Sequence, residues 1–273
     1  MDNVFLEQNP ILISNPHDRV SPYREALGLA INRLKWDLQP LSWASRNKIK
    51  ALKNTHEGKK AVIMCNGPSL NKVDLEKLKG VFTIGLNKIN LLFNRSDFRP
   101  SIIAVVNANV IEQNADFYNE TQIPVFADTY AKKFIRHRKN IHFLHSTEVA
   151  KFSRDVSFSI WKGGTVTYAA MQIAFHLGFT KVALVGCDHY FNSVGSPNQL
   201  AISTGKDDSH FDPNYFAGGM KWNIPNIAAS EYSYSLANEM YTATGRQLLN
   251  ATEGGYLDIL PRINLDDFLS DSF

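Results

Sequence analysis

Short, uninterrupted apolar runs recur along the chain and are separated by segments with helical spacing. KKAVIMC (59–65), VFTIGL (81–86), SIIAVV (101–106) and KVALVG (181–186) are bounded by charged or turn-forming residues. Runs of this length without polar alternation predict strands buried on both faces. IPVFA (123–127), IHFL (141–144) and QLLNAT (247–252) extend the set. Such strands alternating with helices predict an α/β fold with a mostly parallel sheet covered on both faces.

One helical segment differs from the rest. TVTYAAMQIAFHLG (165–178) carries no Lys, Arg, Asp or Glu. A helix that is apolar nearly all round is buried, and Gly178 suits the position just past its end. Its N-terminus then opens into the interior or a cleft, with free backbone N–H groups and a positive dipole end. Gly163, Gly164 and Thr165 form that entry. They are either an anion-holding site or a tight strand-to-helix turn.

At the front, SPYREALGLAINRLKWDL (21–38) predicts an amphipathic helix. Ser21 is placed to cap it, Pro22 suits its first turn, and Tyr23, Leu27, Ala30, Ile31, Leu34 and Leu38 form one apolar stripe. A second helix follows over about 42–53, and residues 1–20 read as irregular. The expected division is a helical extension over 1–57 and a main domain over 58–273. Within that domain, about 189–229 is long, polar and without periodicity. A connection of this length predicts a mobile lid, rich in groups that bind sugars or bases: Tyr190, His210, Tyr215, Trp222 and Asn223.

Composition narrows the function. The 273 residues are 44% hydrophobic and 20% charged, ordinary for a globular chain. No window is apolar for long enough to span a membrane, and no basic-then-apolar leader opens the chain. Two cysteines, Cys65 and Cys187, make neither a disulfide framework nor a zinc site. A reduced, cytoplasmic protein is expected, and a location at the inner face of a membrane is compatible. The net charge is +3 but uneven: residues 17–60 hold ten Lys/Arg against four Asp/Glu, and residues 207–273 hold three against ten. The basic front suits peripheral contact with an anionic membrane, or is an ordinary solvated face. No basic stripe interleaved with aromatics points to nucleic acid.

In an open parallel sheet, ligands bind beyond the carboxyl ends of the strands. Those ends carry Asn66, Gly67 and Ser69; Asn87; Asn107; and Asp188 with Tyr190. Amides and hydroxyls at successive strand ends suit a base and ribose, with phosphate held by backbone dipoles. Motifs for a P-loop, a GxGxxG dinucleotide site and a GxSxG elbow are absent, and no metal-ligand cluster has the right spacing.

AVIMCNGPSL, with IGLNKI, VVNAN, LVGCDHYF, DDSHF and NATEGGYLDILPR, resembles the family 42 bacterial sialyltransferases. It also resembles the related 6-hydroxymethylpterin diphosphokinase MptE-like family, the likeness running over roughly 60–262. The first resemblance implies a Rossmann-like sheet with a mobile lid and metal-independent, inverting transfer of an acidic sugar from a CMP-sugar. It implies nucleotide contacts at Asn66, Ser69, Asn87 and Asn107, a leaving-phosphate contact at Tyr190, and a lid histidine, His210, as base. Tyr215 joins them as a candidate catalytic residue; His189 and Asp212 are next in line for the base. No cofactor is expected beyond the CMP-sugar donor (a sialic-acid-like nonulosonate or Kdo). The partners are that donor and a glycan or glycolipid acceptor in surface polysaccharide synthesis, and a homo-oligomer is compatible. The second resemblance implies transfer of diphosphate from ATP, with Mg²⁺, to a hydroxymethyl pterin. A third reading is a non-catalytic nucleotide- or glycan-binding module.

Overall fold

A computed structural model of the chain describes residues 21–191 and 195–270. The chain divides into two compact units, residues 1–40 and 41–273. In the first, helix α1 spans Pro22–Asp37 with Pro22 in its first turn, within a residue of the predicted bounds at each end. The side chains of Tyr23, Leu27, Ile31, Leu34 and Leu38 along it are exposed. Arg33 pairs with Asp37 one turn on, at 2.7 Å. The segment read as irregular, 1–20, lies outside the described residues.

Helix α2 spans Pro40–Ala51, and all but its first residue belongs to the larger unit. Ser42, Ser45 and Ile49 form a narrow buried stripe on it. The Ile49 carbonyl accepts from His176 Nε2 at 2.8 Å, and the Ser45 hydroxyl oxygen accepts the Phe143 N–H at 3.3 Å. Asn54 and His56 donate their N–H groups to the carbonyls of His176 and Leu177. The division expected after residue 57 therefore falls inside the larger unit. The basic residues of α2 disguise a helix that shares the core.

The sheet is built from β1 (Lys60–Met64), β2 (Phe82–Leu86), β3 (Ile102–Val105), β4 (Val125–Asp128), β5 (Ile141–Leu144), β8 (Lys181–Val185) and β11 (Gln247–Asn250). Helices α3 (Ala108–Gln113) and α4 (Ala115–Glu120) connect β3 to β4. The short strands β6 (Ser146–Thr147) and β7 (Ile160–Trp161) lead into α5 (Val166–Leu177). The hairpin strands β9 (Leu200–Ile202) and β10 (Lys221–Asn223) precede α6 (Ile227–Ala243), and α7 (Leu265–Ser270) closes the described chain. All seven sheet strands are parallel, in the order β11-β8-β1-β2-β3-β4-β5. Ala61, Ile63, Ile84 and Ala104 point to one buried face, packed with α5. Val62, Met64, Ile103 and Val105 are equally buried on the other. The α/β architecture is thus the one the apolar runs predict.

Helix α5 is buried along its length from Thr167 to Leu177. Thr165 caps its start by accepting the Thr167 N–H, and Gly178 ends it at φ 99°, a left-handed position that glycine adopts without strain. From the edge strand β5 the chain returns to place β8 beside β1. Strand order therefore reverses between β1 and β8, and a crevice opens beyond their carboxyl ends.

Candidate functional site

A cleft of about 400 Å³ occupies that crevice. Its floor is the pair of loops after β1 and β8. The Gly67 N–H donates to the Gly186 carbonyl at 2.8 Å. A Cβ on Gly67 would lie 2.0 Å from Asp188 Oδ2 and 2.7 Å from the Gly186 oxygen, so only glycine fits there. Asp188 in turn accepts the Ser69 hydroxyl at 2.7 Å and the Ser69 N–H at 3.2 Å.

Above this floor sit two amides with unused acceptors. Asn66 is 8% exposed. Its Nδ2 donates to the Tyr215 hydroxyl at 3.1 Å, while its buried Oδ1 has no partner. Asn87 holds a left-handed φ of 48°, and its buried Oδ1 is likewise unpartnered. Asn107 differs: its Oδ1 caps α3, accepting the N–H groups of Asn109 and Val110.

The roof is the segment expected as a lid. It carries an antiparallel hairpin, β9 with β10, that the absence of periodicity concealed. Several bonds close it on the sheet. Asn109 Nδ2 donates to Asn223 Oδ1 at 2.8 Å, Gln113 Nε2 to the Lys221 carbonyl at 2.6 Å, and the Phe211 N–H to the Asn66 carbonyl at 2.9 Å. Lys88, 4% exposed, donates to the Tyr215 carbonyl at 2.6 Å and to Gln113 Oε1 at 2.7 Å. Burial lowers its pKa to about 8, against the pull of the Asp207 charge.

His210 is held in this roof. Its Nδ1 lies 2.8 Å from Asp207 Oδ2, and its ring stacks on Tyr215 at 4.0 Å with planes 1° apart. Phe216 meets it edge-on at 5.3 Å. Burial opposes the Asp207 charge, but hydrogen bonds from His210 and from the N–H groups of Ser209 and Phe216 hold its carboxyl below the usual range. A proton on Nδ1 donated to Asp207 leaves the lone pair on Nε2, the nitrogen a base uses.

Asn66, Gly67, Asn87, Asn107, Gly164, Thr165, Asp188, Tyr190, His210 and Tyr215 thus line one cleft, whereas Ser69 and Gly163 do not. Ser69 lies behind the wall and anchors Asp188. Gly163 sets the turn before α5 at φ 59°. Tyr215, named as a candidate catalytic residue, is 1% exposed and serves as the surface on which His210 stacks. Tyr190 stands at the rim, 58% exposed, with its ring 5.7 Å from that of Tyr256. Of the alternative bases, His189 faces Glu231 at 3.2 Å. Sequence reasoning singled out neither Lys88 nor Asp207. The signal for Asp207 was its place three residues before His210 in DDSH.

Fold and cleft together define a Rossmann-like α/β domain with a polar site at its switch point. The chain belongs to the 6-hydroxymethylpterin diphosphokinase MptE-like family, whose model matches residues 39–193. The match stops short of the segment that carries His210. Among curated proteins nothing matches the chain. Among solved structures, the chain is similar to the MAf glycosyltransferase from Magnetospirillum magneticum AMB-1, at 14% identity and a TM-score of 0.48. The similarity covers 83% of this chain and 39% of that one, so the chain spans well under half of that protein.

Diphosphate transfer from ATP calls for a divalent cation held between carboxylates and phosphate oxygens. In this cleft Asp188 is engaged by Ser69, and Asp207 by His210 and two N–H groups. Among the described residues no three His, Cys, Asp or Glu side chains come together.

Proposed function

We infer that the cleft transfers an acidic sugar, a sialic-acid-like nonulosonate or Kdo, from a CMP-sugar to a hydroxyl of a glycan or glycolipid acceptor, with inversion and without a metal. The observation that carries this reading is the Asp207–His210 pair, stacked on Tyr215 in the cleft roof. His210 Nε2 takes the acceptor hydroxyl proton as the new C–O bond forms at the anomeric carbon. The bond from that carbon to the phosphate oxygen breaks, and CMP leaves with the electron pair. General-base catalysis of this kind contributes roughly 10²–10⁴-fold. The free carbonyl oxygens of Asn66 and Asn87 suit donors such as a base amino group or ribose hydroxyls. The N-terminus of α5 suits the departing phosphate.

The deciding experiment measures CMP release from a CMP-sugar, alongside nucleotide binding, in the wild type and the His210→Ala protein. Lost turnover with unchanged CMP affinity supports the mechanism. Equal loss of both makes His210 a donor-site residue and overturns it.

The match to the MptE-like family over residues 39–193 favours a second reading, a diphosphokinase acting on a hydroxymethyl pterin. Binding of ATP with Mg²⁺, in place of cytidine nucleotides, supports that alternative. No described helix is long and apolar enough to cross a membrane. Access to a glycolipid acceptor would then come through peripheral contact by the basic front of the chain, a proposal that vesicle co-sedimentation tests.

A further inference from the structure

Lys162 is the only lysine or arginine among the described residues of the cleft wall. It lies between β7 and the Gly163–Gly164 turn, just ahead of Thr165, the cap of the twelve-residue α5. Its ammonium lies 3.1 Å from Asp128 Oδ2; the Lys162 side chain is 41% exposed and that of Asp128 4%. Asp128 is itself fixed at the end of β4. Its Oδ1 accepts the Tyr130 N–H at 2.7 Å, and its Oδ2 accepts the Ser146 hydroxyl. An ammonium has three protons to give and Asp128 takes one. The pair holds a flexible side chain in the cleft that the N-terminus of α5 also lines.

Two other features bear on what the cation meets. The carboxylate of the floor, Asp188, is engaged by Ser69, and no ion pair joins it to Lys162 among the described residues. In the same cleft the Asn66 side chain, more than nine-tenths buried, keeps an unpartnered Oδ1. That orphaned oxygen is an independent sign that a polar ligand completes the site.

We propose that Lys162, positioned by Asp128, binds the phosphate of the nucleotide in this cleft together with the N-terminus of α5. The proposal rests on the reading above only in taking the ligand to be a nucleotide. A positive helix end and a full cation converging on one anion is a recurrent phosphate-binding arrangement.

The test is calorimetric titration of CMP, cytidine, ADP and adenosine into the wild type and into the Lys162→Ala, Lys162→Arg and Asp128→Asn proteins. Thermal unfolding of each variant checks that it is folded. In the wild type the phosphorylated ligand binds more tightly than its nucleoside. Lys162→Ala reduces that ratio roughly ten- to hundredfold, the span of one charge-assisted contact. Nucleoside affinity stays unchanged, Lys162→Arg restores most of the ratio, and Asp128→Asn lowers it by a smaller factor. If the adenine pair responds in this way and the cytidine pair does not bind, Lys162 keeps its role while the cytidine reading fails. If Lys162→Ala leaves the ratio at the wild-type value, or if no phosphorylated ligand binds the wild type better than its nucleoside, the proposal is overturned.

Discussion

His210 owes its place to its neighbours. Tyr215 fixes the ring plane, Phe216 closes one edge, and Asp207 selects which nitrogen carries the proton. In the proposed mechanism, removing Asp207 acts on catalysis through orientation and tautomer. Asp207→Asn is expected to lower turnover roughly 10²-fold or more while CMP affinity holds. A variant with wild-type turnover would show that the pair is structural only. The same carboxyl has a stability signature. Its pKa is depressed on folding, so its contribution is present above the unfolded carboxylate range and is lost as pH falls through the lowered value. Urea midpoints taken from neutral to acid pH should fall less steeply in Asp207→Asn than in the wild type. Parallel curves for the two proteins would remove Asp207 from the acid response.

Strands and α5 were legible in the sequence because burial on both faces leaves continuous apolar runs, and a buried helix carries no charge. Helix α6 was not singled out, since its buried stripe is Ser230, Ser233, Tyr234, Ala237 and Tyr241, a mixture of hydroxyls and aromatics in place of an apolar stripe. The strand-end amides were legible from the rule for parallel sheets, whereas Lys88 was not, because a lysine reads as a solvated charge until its burial is seen. That burial gives the lid a measurable pH response. Lys88 has its pKa lowered from 10.5 to about 8, so between those values the unfolded chain binds more protons than the native one. Its contribution to stability therefore rises with pH across that window. Lys88→Met should flatten this rise in denaturant midpoints measured from pH 8 to 10; an undiminished rise in the variant would assign it to other groups. Below the lid, Gly67→Ala should destabilise the protein by about 1–3 kcal/mol and weaken nucleotide binding, as the new Cβ displaces Asp188 or the β8 loop. Unchanged unfolding and binding would mean the two loops yield at little cost.

At the scale of the whole molecule, the sheet order puts the loops after β1 and β8 side by side, so one ligand in the crevice touches segments more than a hundred residues apart in sequence. The lid reaches the same crevice through bonds to Asn66, Lys88, Asn109 and Gln113. A ligand seated there links both loops and the lid in the native state and loses all of them on unfolding. Binding to the native state alone stabilises by about 2.7 kcal/mol at a hundredfold excess over Kd. For a domain of this size that corresponds to a rise of roughly 5–11 °C in Tm. We expect CMP and CDP to give such a rise without Mg²⁺, because the walls offer amides, a lysine and a helix N-terminus. UDP, GDP and ATP, each with and without Mg²⁺, complete the comparison. A rise confined to ATP with Mg²⁺ would move the protein to the diphosphokinase reading that its family match favours. A rise with cytidine nucleotides that persists in His210→Ala but shrinks in Lys162→Ala would separate donor binding from catalysis within the one cleft.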